Sequence, residues 1–431
     1  MTRTLHSRFF LACLALSISF SSSSQSLKDH LQKADRYFSK KDYKNALVHL
    51  KDALALDPDD PMANYKAGVA SIDQKQYSQA AACLEKAYQA RPDIDPDIRY
   101  HLAVALQNDH QYAKAKEHYE AVKVSNKNLS SLVTRKIREC VAGDSLINIP
   151  ITADVSLLTE VINTTFTETA PLIVADGMIF TSNRSADAYA LKSRTNTNDV
   201  YIARVSNGEW AAPEKIPGNI NAQVETVATS ISSDGKTLLL YYPDGNGDIY
   251  SSTYENGAWS KPVALNRFIN NPDYRETAAA LSPDGQRLYF SSNRPGGRGG
   301  FDIYVSERDA NGQWGRPSNL GPTINTRGDE MTPFIHADGK TLYFSSNGHA
   351  TLGDADIFKS TLEGGKWTRP ENLGYPVNTS AYEGFFVLSP TGDIGYFTSR
   401  RKDGQSDSDI YQANIRQSET SQKGDINPQS N

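Results

Sequence analysis

Small, aromatic and proline residues recur near the N-terminus with a spacing that predicts pairs of packed helices. Residues 27–60 and 61–94 match at an offset of 34 positions, and a third copy begins near Pro96. Small residues let two antiparallel helices approach closely, a tyrosine fills the space between them, and a proline ends the second helix. A further helix over 130–142 is expected to cover the open end of the stack. The matched positions are Ala34 with Gly68, Tyr43 with Tyr77, Ala46 with Ala80, Ala53 with Ala87, and Pro58 with Pro92.

From Glu168 onward the pattern changes to short strands separated by turn residues. Each copy of one template has a glutamate, a short strand, an Asp-Gly turn, an aromatic strand, a strand that begins Asp-Ile-Tyr or similar, and a segment containing tryptophan. Asp-Gly between apolar runs favours two-residue hairpin turns, so each copy predicts four short antiparallel strands. The copies begin at Glu168, Glu225, Glu276, Glu330 and Glu383.

Several such sheets bury their faces when they are arranged radially, so the repeats predict a β-propeller. The fifth copy stops at Ile415 without its fourth strand, whereas residues 153–168 resemble the segment that ends the third copy, 316–330. We therefore expect the first strand of the domain to pair with the last copy. This pairing would close a propeller of five blades and remove two sheet edges.

Both repeats resemble known families. Residues 27–142 are similar to the tetratricopeptide repeat (TPR), and the sequence SPDGQRLYFSSN at 282–293, with its copies, resembles the WD40-like propeller repeat of bacterial envelope proteins. These resemblances imply a multidomain protein with an α part and an all-β part: an N-terminal TPR α-solenoid followed by a five-bladed β-propeller closed by an N-terminal strand.

The combination resembles TPR-plus-propeller proteins of Bacteroidota-type cell envelopes, some of which act in secretion across the outer membrane. Such proteins often carry an OmpA-like peptidoglycan-binding domain after the propeller. This chain departs from that pattern after Ile415. We therefore do not expect direct binding to peptidoglycan.

The N-terminus of the 431-residue chain has the features of an export signal. Arg3 and Arg8 precede a short apolar run and a string of serines, and lipidation at Cys13 is the alternative. We expect an exported protein, periplasmic or associated with the outer membrane, without a transmembrane span. The predicted segments are a signal peptide at 1–25, a TPR domain with its capping helix at 27–142, a linker at 143–152, the propeller at 153–415 and a disordered tail at 416–431.

The TPR resemblance implies a concave surface formed by the first helix of each repeat. The lysine and asparagine with which some TPR proteins hold a terminal carboxylate are missing from the corresponding positions. We therefore predict an apolar and aromatic groove for a peptide or protein partner. The alternative is that the two tyrosines among these positions only pack between repeats. The groove positions are Leu31, Asp35, Tyr65, Val69, Tyr100 and Val104, and the partner-binding residues among them are Tyr65, Val69, Tyr100 and Val104.

The glutamate that opens each propeller copy is the main candidate for an ion or ligand site. Because the first strand of a blade lies innermost, the five glutamates listed above (168, 225, 276, 330 and 383) would ring the central channel, and like charges at close range require cations. Arg184, Arg294 and Arg400 are the expected partners in copies one, three and five. Glu–Arg bridges between blades are the first interpretation, and a cation or ligand site at the channel mouth is the second.

Other sequence patterns favour a structural role over a catalytic or nucleotide-binding one. The formal charge of −5 is unlike that of a nucleic-acid-binding protein. Gly296–Gly300 lacks the Lys-Ser/Thr of a phosphate loop, and the histidines lack the spacing of a zinc protease. The aspartate of each Asp-Ile-Tyr triplet is expected to accept hydrogen bonds from the preceding loop.

The sequence therefore predicts a non-enzymatic envelope scaffold or adaptor, without cofactor or metal, that binds protein partners through both domains in outer-membrane assembly or secretion. The alternative is a carbohydrate-binding or glycoside-hydrolase-like propeller that uses channel carboxylates. Equivalent glutamates in equivalent positions are poorly suited to separate acid and base roles.

Overall fold

The computed structural model describes residues 26–148, 153–184, 198–222, 225–243 and 245–415. The chain divides between Asp144 and Ser145 into a helical unit and a β-sheet unit. The predicted signal peptide, the disordered tail and the end of the predicted linker lie outside the described residues. Within the described part of the chain, none of the helices has the length and apolar character of a membrane-spanning segment.

The helical unit is a series of antiparallel pairs. As the repeat predicts, the second helix of each pair begins at a tyrosine, and α2 and α4 each end two residues before a proline. Aspartate side chains cap the helices that begin after Asp42 and Asp60. The helices are α1 (26–38), α2 (Tyr43–Leu56), α3 (Pro61–Asp73), α4 (Tyr77–Ala90), α5 (Ile98–Asn108), α6 (Tyr112–Ser125) and α7 (Ser130–Leu146).

The small residues of the repeat lie where helices approach one another. A Cβ atom at Gly68 of α3 would lie 2.4 Å from Cγ of Leu84 in α4, so glycine is required there. Ala34 and Ala46 are fully buried and pack with Leu50 in the first pair. The sequence interpretation of these positions is confirmed.

The last helix, α7, extends to Leu146, beyond the predicted end at residue 142. A Cβ atom at Gly143 would lie 2.5 Å from the ring of Tyr112 in α6, so the two helices are in close contact. Val133 and Cys140 are buried, and the buried Glu139 accepts a hydrogen bond of 2.8 Å from Gln107 of α5. These contacts attach α7 to the preceding repeat.

The β-sheet unit consists of five antiparallel sheets, the blades of a propeller, as predicted. Blade one contains β2 (Glu168–Val174), β3 (Gly177–Ser182), β4 (Asp199–Ser206), β5 (Glu209–Trp210) and β6 (Glu214–Lys215). Blade two contains β7 (Val227–Ile231), β8 (Thr237–Tyr242), β9 (Asp248–Glu255), β10 (Ala258–Trp259) and β11 (Val263–Ala264). Blade three contains β12 (Glu276–Leu281), β13 (Arg287–Ser292), β14 (Asp302–Glu307) and β15 (Ser318–Asn319). Blade four contains β16 (Glu330–Ile335), β17 (Thr341–Ser346), β18 (Asp356–Glu363), β19 (Lys366–Trp367) and β20 (Glu371–Asn372). Blade five contains β21 (Glu383–Leu388), β22 (Ile394–Ser399), β23 (Asp409–Ile415) and β1 (Ala153–Leu157).

The predicted fourth strand of blades one, two and four is divided into two short strands. In blade one, β5 ends at Trp210 and β6 begins at Glu214, with Pro213 between them. Both pieces pair with the same strand, β4. Proline lacks the N–H that a ladder requires, so the division falls at the proline of each repeat. The corresponding residues are Pro262 in blade two and Pro370 in blade four.

The closure of the propeller is the one predicted from the sequence. Strand β1 pairs antiparallel with β23 in a register that places Ala153 opposite Ile415. The Asn163 side chain then exchanges two hydrogen bonds of 2.8 Å with the backbone of Ile410. Asn325 makes the same pair of bonds to Ile303 in blade three, so the N-terminal segment reproduces the repeat in full.

Hydrophobic side chains fill the spaces between neighbouring blades. Ile249 of blade two packs in one cluster with Leu288 and Phe290 of blade three, and Tyr343 of blade four packs in another with Phe397 of blade five. Each sheet thus covers one face of the next, which is the reason for a radial arrangement.

Candidate functional site

The predicted groove residues of the helical unit differ in their accessibility. Tyr65 of α3 is 9% exposed, and its ring centroid lies 6.3 Å from that of His101 in α5. Burial, together with the nearby Asp95, raises the pKa of Tyr65. This tyrosine therefore packs between consecutive repeats, which is the alternative that the sequence left open.

The other three predicted partner-binding residues, Val69, Tyr100 and Val104, keep part of their surface exposed. Tyr100 meets Tyr119 edge-on at a centroid distance of 6.1 Å, and burial raises the Tyr100 pKa. Val69 and Val104 are both partly exposed. Asp35, on the first helix, forms an ion pair with Lys66. The first helix of each repeat thus contributes to a partly apolar surface. The partner-binding role of these residues stays a prediction.

In the propeller, four of the five repeated glutamates are fully buried at the start of the innermost strand of their blade: Glu168, Glu276, Glu330 and Glu383. The Glu168 carboxylate is typical of the set. It accepts hydrogen bonds from the backbone N–H and hydroxyl of Thr164, both at 2.9 Å, and from Ser182 at 2.8 Å. The serine lies directly opposite the glutamate on the neighbouring strand. Each carboxylate is therefore held within a local network.

An arginine completes this network in three blades. Arg184, Arg294 and Arg401 lie 2.9, 3.0 and 3.2 Å from the glutamates of blades one, three and five. The Arg294 guanidinium also donates to the backbone oxygen of Ile269 at 2.6 Å and lies 4.8 Å from the Phe290 ring centroid. Glu–Arg bridges thus form in these three blades, but each joins two residues of the same blade, so the prediction of bridges between blades was wrong.

The partner predicted for blade five was wrong by one residue. Arg401, not Arg400, reaches Glu383, because Ser399 pairs with the glutamate and the residue two places after this serine turns inward. Arg400 lies over the ring of Tyr382 at 5.1 Å and donates to Ser408. In copies one, three and four an asparagine occupies the position of Arg400.

Glu225 is an exception to the pattern. It is exposed, precedes β7 and has a left-handed backbone with φ of 64°. Blade two has Tyr242 where the other blades have the serine, and the Tyr242 hydroxyl donates to the backbone oxygen of Ile220. Thr226, not Glu225, occupies the position of the buried glutamates: it is fully buried, and its N–H donates to the Asn198 oxygen as the Glu276 N–H donates to Gly247. The prediction of an equivalent glutamate in blade two was therefore wrong by one residue, and Glu225 lies just outside the blade interior.

Burial also affects the protonation of the enclosed carboxylates. The pKa values of Glu276, Glu330 and Glu383 are raised, chiefly by burial, while hydrogen bonds from serine and threonine act in the opposite direction. An arginine further opposes the rise for Glu276 and Glu383.

The central channel is lined by apolar residues instead of carboxylates. All five innermost strands contribute to a cavity of about 220 Å³. The lining begins two or three residues beyond the buried glutamate in blades one, three, four and five, so the predicted ring of five carboxylates around the channel is incorrect. The lining includes Ile173, Ile231, Leu281, Phe334 and Val387, together with the hydroxyl residues Thr229, Ser230 and Thr332.

Three of the aspartates that open the Asp-Ile-Tyr triplets, Asp302, Asp356 and Asp409, hold the loops that precede them, as expected. Asp302 accepts backbone hydrogen bonds from Arg298 at 2.6 Å and Gly299 at 3.0 Å, and a third bond from the Asn319 side chain. Asp356 accepts the Leu352 N–H at 2.9 Å. The glycine-rich segment Gly296–Gly300 is thus a loop fixed by a strand residue.

Sequence reasoning missed one cluster of potential ligands in the helical unit. One donor atom each of His30, His49 and Asp52 lies within 4.8 Å of the others. His49 and Asp52 are three residues apart on α2, which places them on one face. That spacing was the available signal, but the contribution of His30 from α1 required the packing of the two helices.

Comparison with known families identifies the helical repeat. Two family models match it, one described as TPR repeat over residues 34–72 and one as tetratricopeptide repeat over residues 71–134. The helical unit consists of tetratricopeptide repeats. Together with a propeller, TPR repeats suggest a scaffold for protein–protein interaction. No curated protein matches the chain.

The similar solved structures each match part of the chain. A structure described as putative TolB from Agrobacterium tumefaciens is 16% identical, with a TM-score of 0.38, and the match covers 62% of this chain and 98% of that one. The TPR2B domain of yeast Sti1, in complex with an Hsp70 peptide, is 19% identical, with 27% and 97% covered and a TM-score of 0.24. The second TPR domain of human RPAP3, in complex with an HSP70 peptide, is 12% identical, with 28% and 98% covered and a TM-score of 0.24.

Proposed function

We propose that this protein is a non-enzymatic scaffold of the cell envelope that binds an extended segment of a protein partner on the first helices of its TPR repeats. The observation that carries the proposal is the partly exposed apolar surface at Val69, Tyr100 and Val104, next to the packed ring of Tyr65. TPR repeats offer such surfaces to peptides because the helix pairs stack into an extended concave face.

The state of the propeller carboxylates supports the non-enzymatic part of the proposal. A general acid or nucleophile must reach its substrate, whereas Glu168, Glu276, Glu330 and Glu383 are fully buried and hydrogen-bonded within their blades. Glu225 alone among the five is exposed, whereas glycoside hydrolysis requires a pair of carboxylates. The glycoside-hydrolase alternative, which relied on these residues, therefore has no support from their geometry.

The propeller offers a second surface for partners. Its apolar channel is formed by all five blades, and we propose that it contributes to contact with a protein distinct from the one bound by the TPR repeats. The scaffold would then join two envelope proteins, in outer-membrane assembly or secretion.

The groove is tested by charge substitution at its centre. The double variant Val69→Glu, Val104→Glu should weaken binding of TPR-dependent partners by at least about tenfold, because a buried carboxylate would face an apolar interface. The matched control is Val48→Glu, Val124→Glu, since these valines are 55% and 83% exposed on the second helices α2 and α6. The measurement is crosslinking and affinity capture from envelope fractions, followed by the affinity of each purified partner.

The outcomes of that experiment are distinct. Loss of a partner set in the groove variant alone supports the proposal, and persistence of another set supports a second interface on the propeller. Unchanged capture by the groove variant, or equal loss in the control, would refute a groove at these positions.

The envelope location is tested separately, from the N-terminal features of the sequence. Cell fractionation should place the chain in the periplasm or at the outer membrane, and N-terminal sequencing should find the mature protein beginning near Gln25. A lipid-modified Cys13 would indicate the alternative anchor. Retention of residues 1–25 on a cytoplasmic protein would contradict export.

A further inference from the structure

The first helix pair carries a group of side chains that no part of the scaffold function requires. His30 lies on α1, and His49 and Asp52 lie on α2. One donor atom of each residue lies within 4.8 Å of those of the other two. Within the described residues this is the one such group of three histidine, cysteine or acidic side chains.

The hydrogen-bonding state of the two histidines is unusual. The Nδ1 atoms of His30 and His49 are both buried, and neither has a hydrogen-bond partner. Burying a polar nitrogen without a partner is costly, so native structures normally supply one. A metal ion bound by both nitrogens would satisfy them together.

The spacing of the donors suits a small divalent ion. Nδ1 of His30 lies 3.3 Å from Oδ2 of Asp52, without hydrogen-bond geometry between them. Two ligands of one tetrahedral zinc, each about 2.1 Å from the metal, lie about 3.4 Å apart. The His30–Asp52 pair therefore already has the separation of two ligands of the same ion.

The surroundings leave an approach from solvent while supporting one ring. The side chains of His30 and Asp52 are 26% and 53% exposed, so an ion can enter from the surface. The His49 ring is stacked on Tyr37, with a centroid distance of 5.6 Å and an interplanar angle of 21°. That contact limits the orientation of the His49 ring.

We propose that His30, His49 and Asp52 form a binding site for a divalent transition metal of the zinc type. Two imidazoles and one carboxylate are ligands that zinc accepts, and they leave the fourth tetrahedral position for water. Because the ligands come from α1 and α2, the ion would fasten the first helix of the TPR unit to its partner helix.

The chain itself provides a matched control. His118 on α6 also has a buried Nδ1 atom without a hydrogen-bond partner, and its ring likewise lies against a tyrosine, Tyr88, at a centroid distance of 5.6 Å. His118 does not belong to a group of three potential ligands. It therefore reports the effect of losing an equivalent histidine without losing the proposed site.

The experiment uses the purified chain, prepared without a polyhistidine tag and treated with a chelator. Titration calorimetry with Zn²⁺ should show one ion bound per chain, and Co²⁺ should give the visible absorption of a tetrahedral complex. His49→Gln and Asp52→Asn should each weaken binding by at least about tenfold, which is the lower range for loss of even an outer partner of a metal ligand. His118→Gln should bind as the unchanged chain does.

Stability gives a second measurement that does not depend on calorimetry. Zinc should raise the unfolding temperature of the helical unit in the unchanged chain and in His118→Gln, but not in His49→Gln. His30→Gln is the second variant for this measurement, because it lies near the start of α1, where a substitution is not expected to prevent folding. Absence of saturable binding at one equivalent, or binding that survives both His49→Gln and Asp52→Asn, would overturn the proposal. Equal loss in His118→Gln would overturn it as well.

Discussion

Blades two and three differ at the residue that opens the innermost strand: it is Thr226 in blade two and Glu276 in blade three, and each backbone N–H donates to the preceding blade. Glu276 of blade three is fully buried and is bound by Ser292 at 2.6 Å and Arg294 at 3.0 Å. Glu225 of blade two is exposed, and Tyr242 takes the place of the serine. Thr226, the residue of blade two at the position of Glu276, is fully buried. The blade interior therefore holds a carboxylate where the second strand supplies a serine, and a threonine where it supplies Tyr242.

Substitution of each glutamate by alanine is the most direct test of the difference between the two blades. Glu276→Ala should lower the free energy of unfolding of the propeller by about 3–5 kcal/mol, because the Arg294 guanidinium would be left buried without its partner charge. Glu225→Ala should change it by less than about 0.5 kcal/mol, as expected for an exposed residue.

Denaturant unfolding followed by tryptophan fluorescence measures this difference. All four tryptophans of the chain, at 210, 259, 314 and 367, belong to the propeller, so their emission reports on that unit alone. Equal losses of stability in the two variants would show that the hydrogen-bonded network contributes nothing.

A smaller effect is expected from removing the arginine. Blade four lacks it: His349 there lies 2.8 Å from the backbone oxygen of Ile324, the contact that Arg294 makes to Ile269 in blade three. Arg294→Met should therefore cost about 2 kcal/mol, since Glu276 keeps its serine but loses a charge-assisted hydrogen bond.

The control for this variant is an exposed arginine of the same blade. Arg287 pairs with Glu307 at 3.0 Å, with both side chains exposed to solvent. Arg287→Met should cost less than about 1 kcal/mol in the same fluorescence measurement. If the two arginine variants are equally stable, the buried bridge has no special role.

The blade comparison also shows what the sequence could predict. The repeat period, the turn residues and the match of 153–168 to 316–330 depend on local patterns, and they were sufficient for five blades and for the pairing of β1 with β23. The glutamates were correctly recognised as equivalent in four copies, and the arginine partners in two.

The errors concern the environment of side chains. The position of the carboxylates relative to the channel depends on where along the innermost strand the channel lining begins. The period of the sequence repeat carries no information about that point. The sequence shows that Tyr242 of blade two stands where the other blades have a serine. The consequence could be predicted only from the strand pairing, which places that serine opposite the buried glutamate in the other blades. The His30 cluster likewise required the packing of α1 on α2.

The smallest and most specific difference between the two blades should appear in the pH dependence of stability. Burial raises the pKa of Glu276 above its ordinary value of 4.5, so the folded propeller holds this proton more tightly than the unfolded chain does. The contribution to stability is therefore complete below about pH 4.5 and is lost as the pH rises through the raised pKa of the folded state, with a slope of at most about 1.4 kcal/mol per pH unit.

Glu276→Gln should remove this contribution and flatten the fluorescence-monitored stability profile above pH 4.5, while Glu330 and Glu383 retain theirs. Glu225→Gln removes a carboxylate from an exposed position of blade two and is the control for the change of charge. A profile that is equally steep in Glu276→Gln and in the unchanged chain would mean that the enclosed carboxylate titrates as it does in the unfolded chain, and that burial alone does not distinguish blade three from blade two.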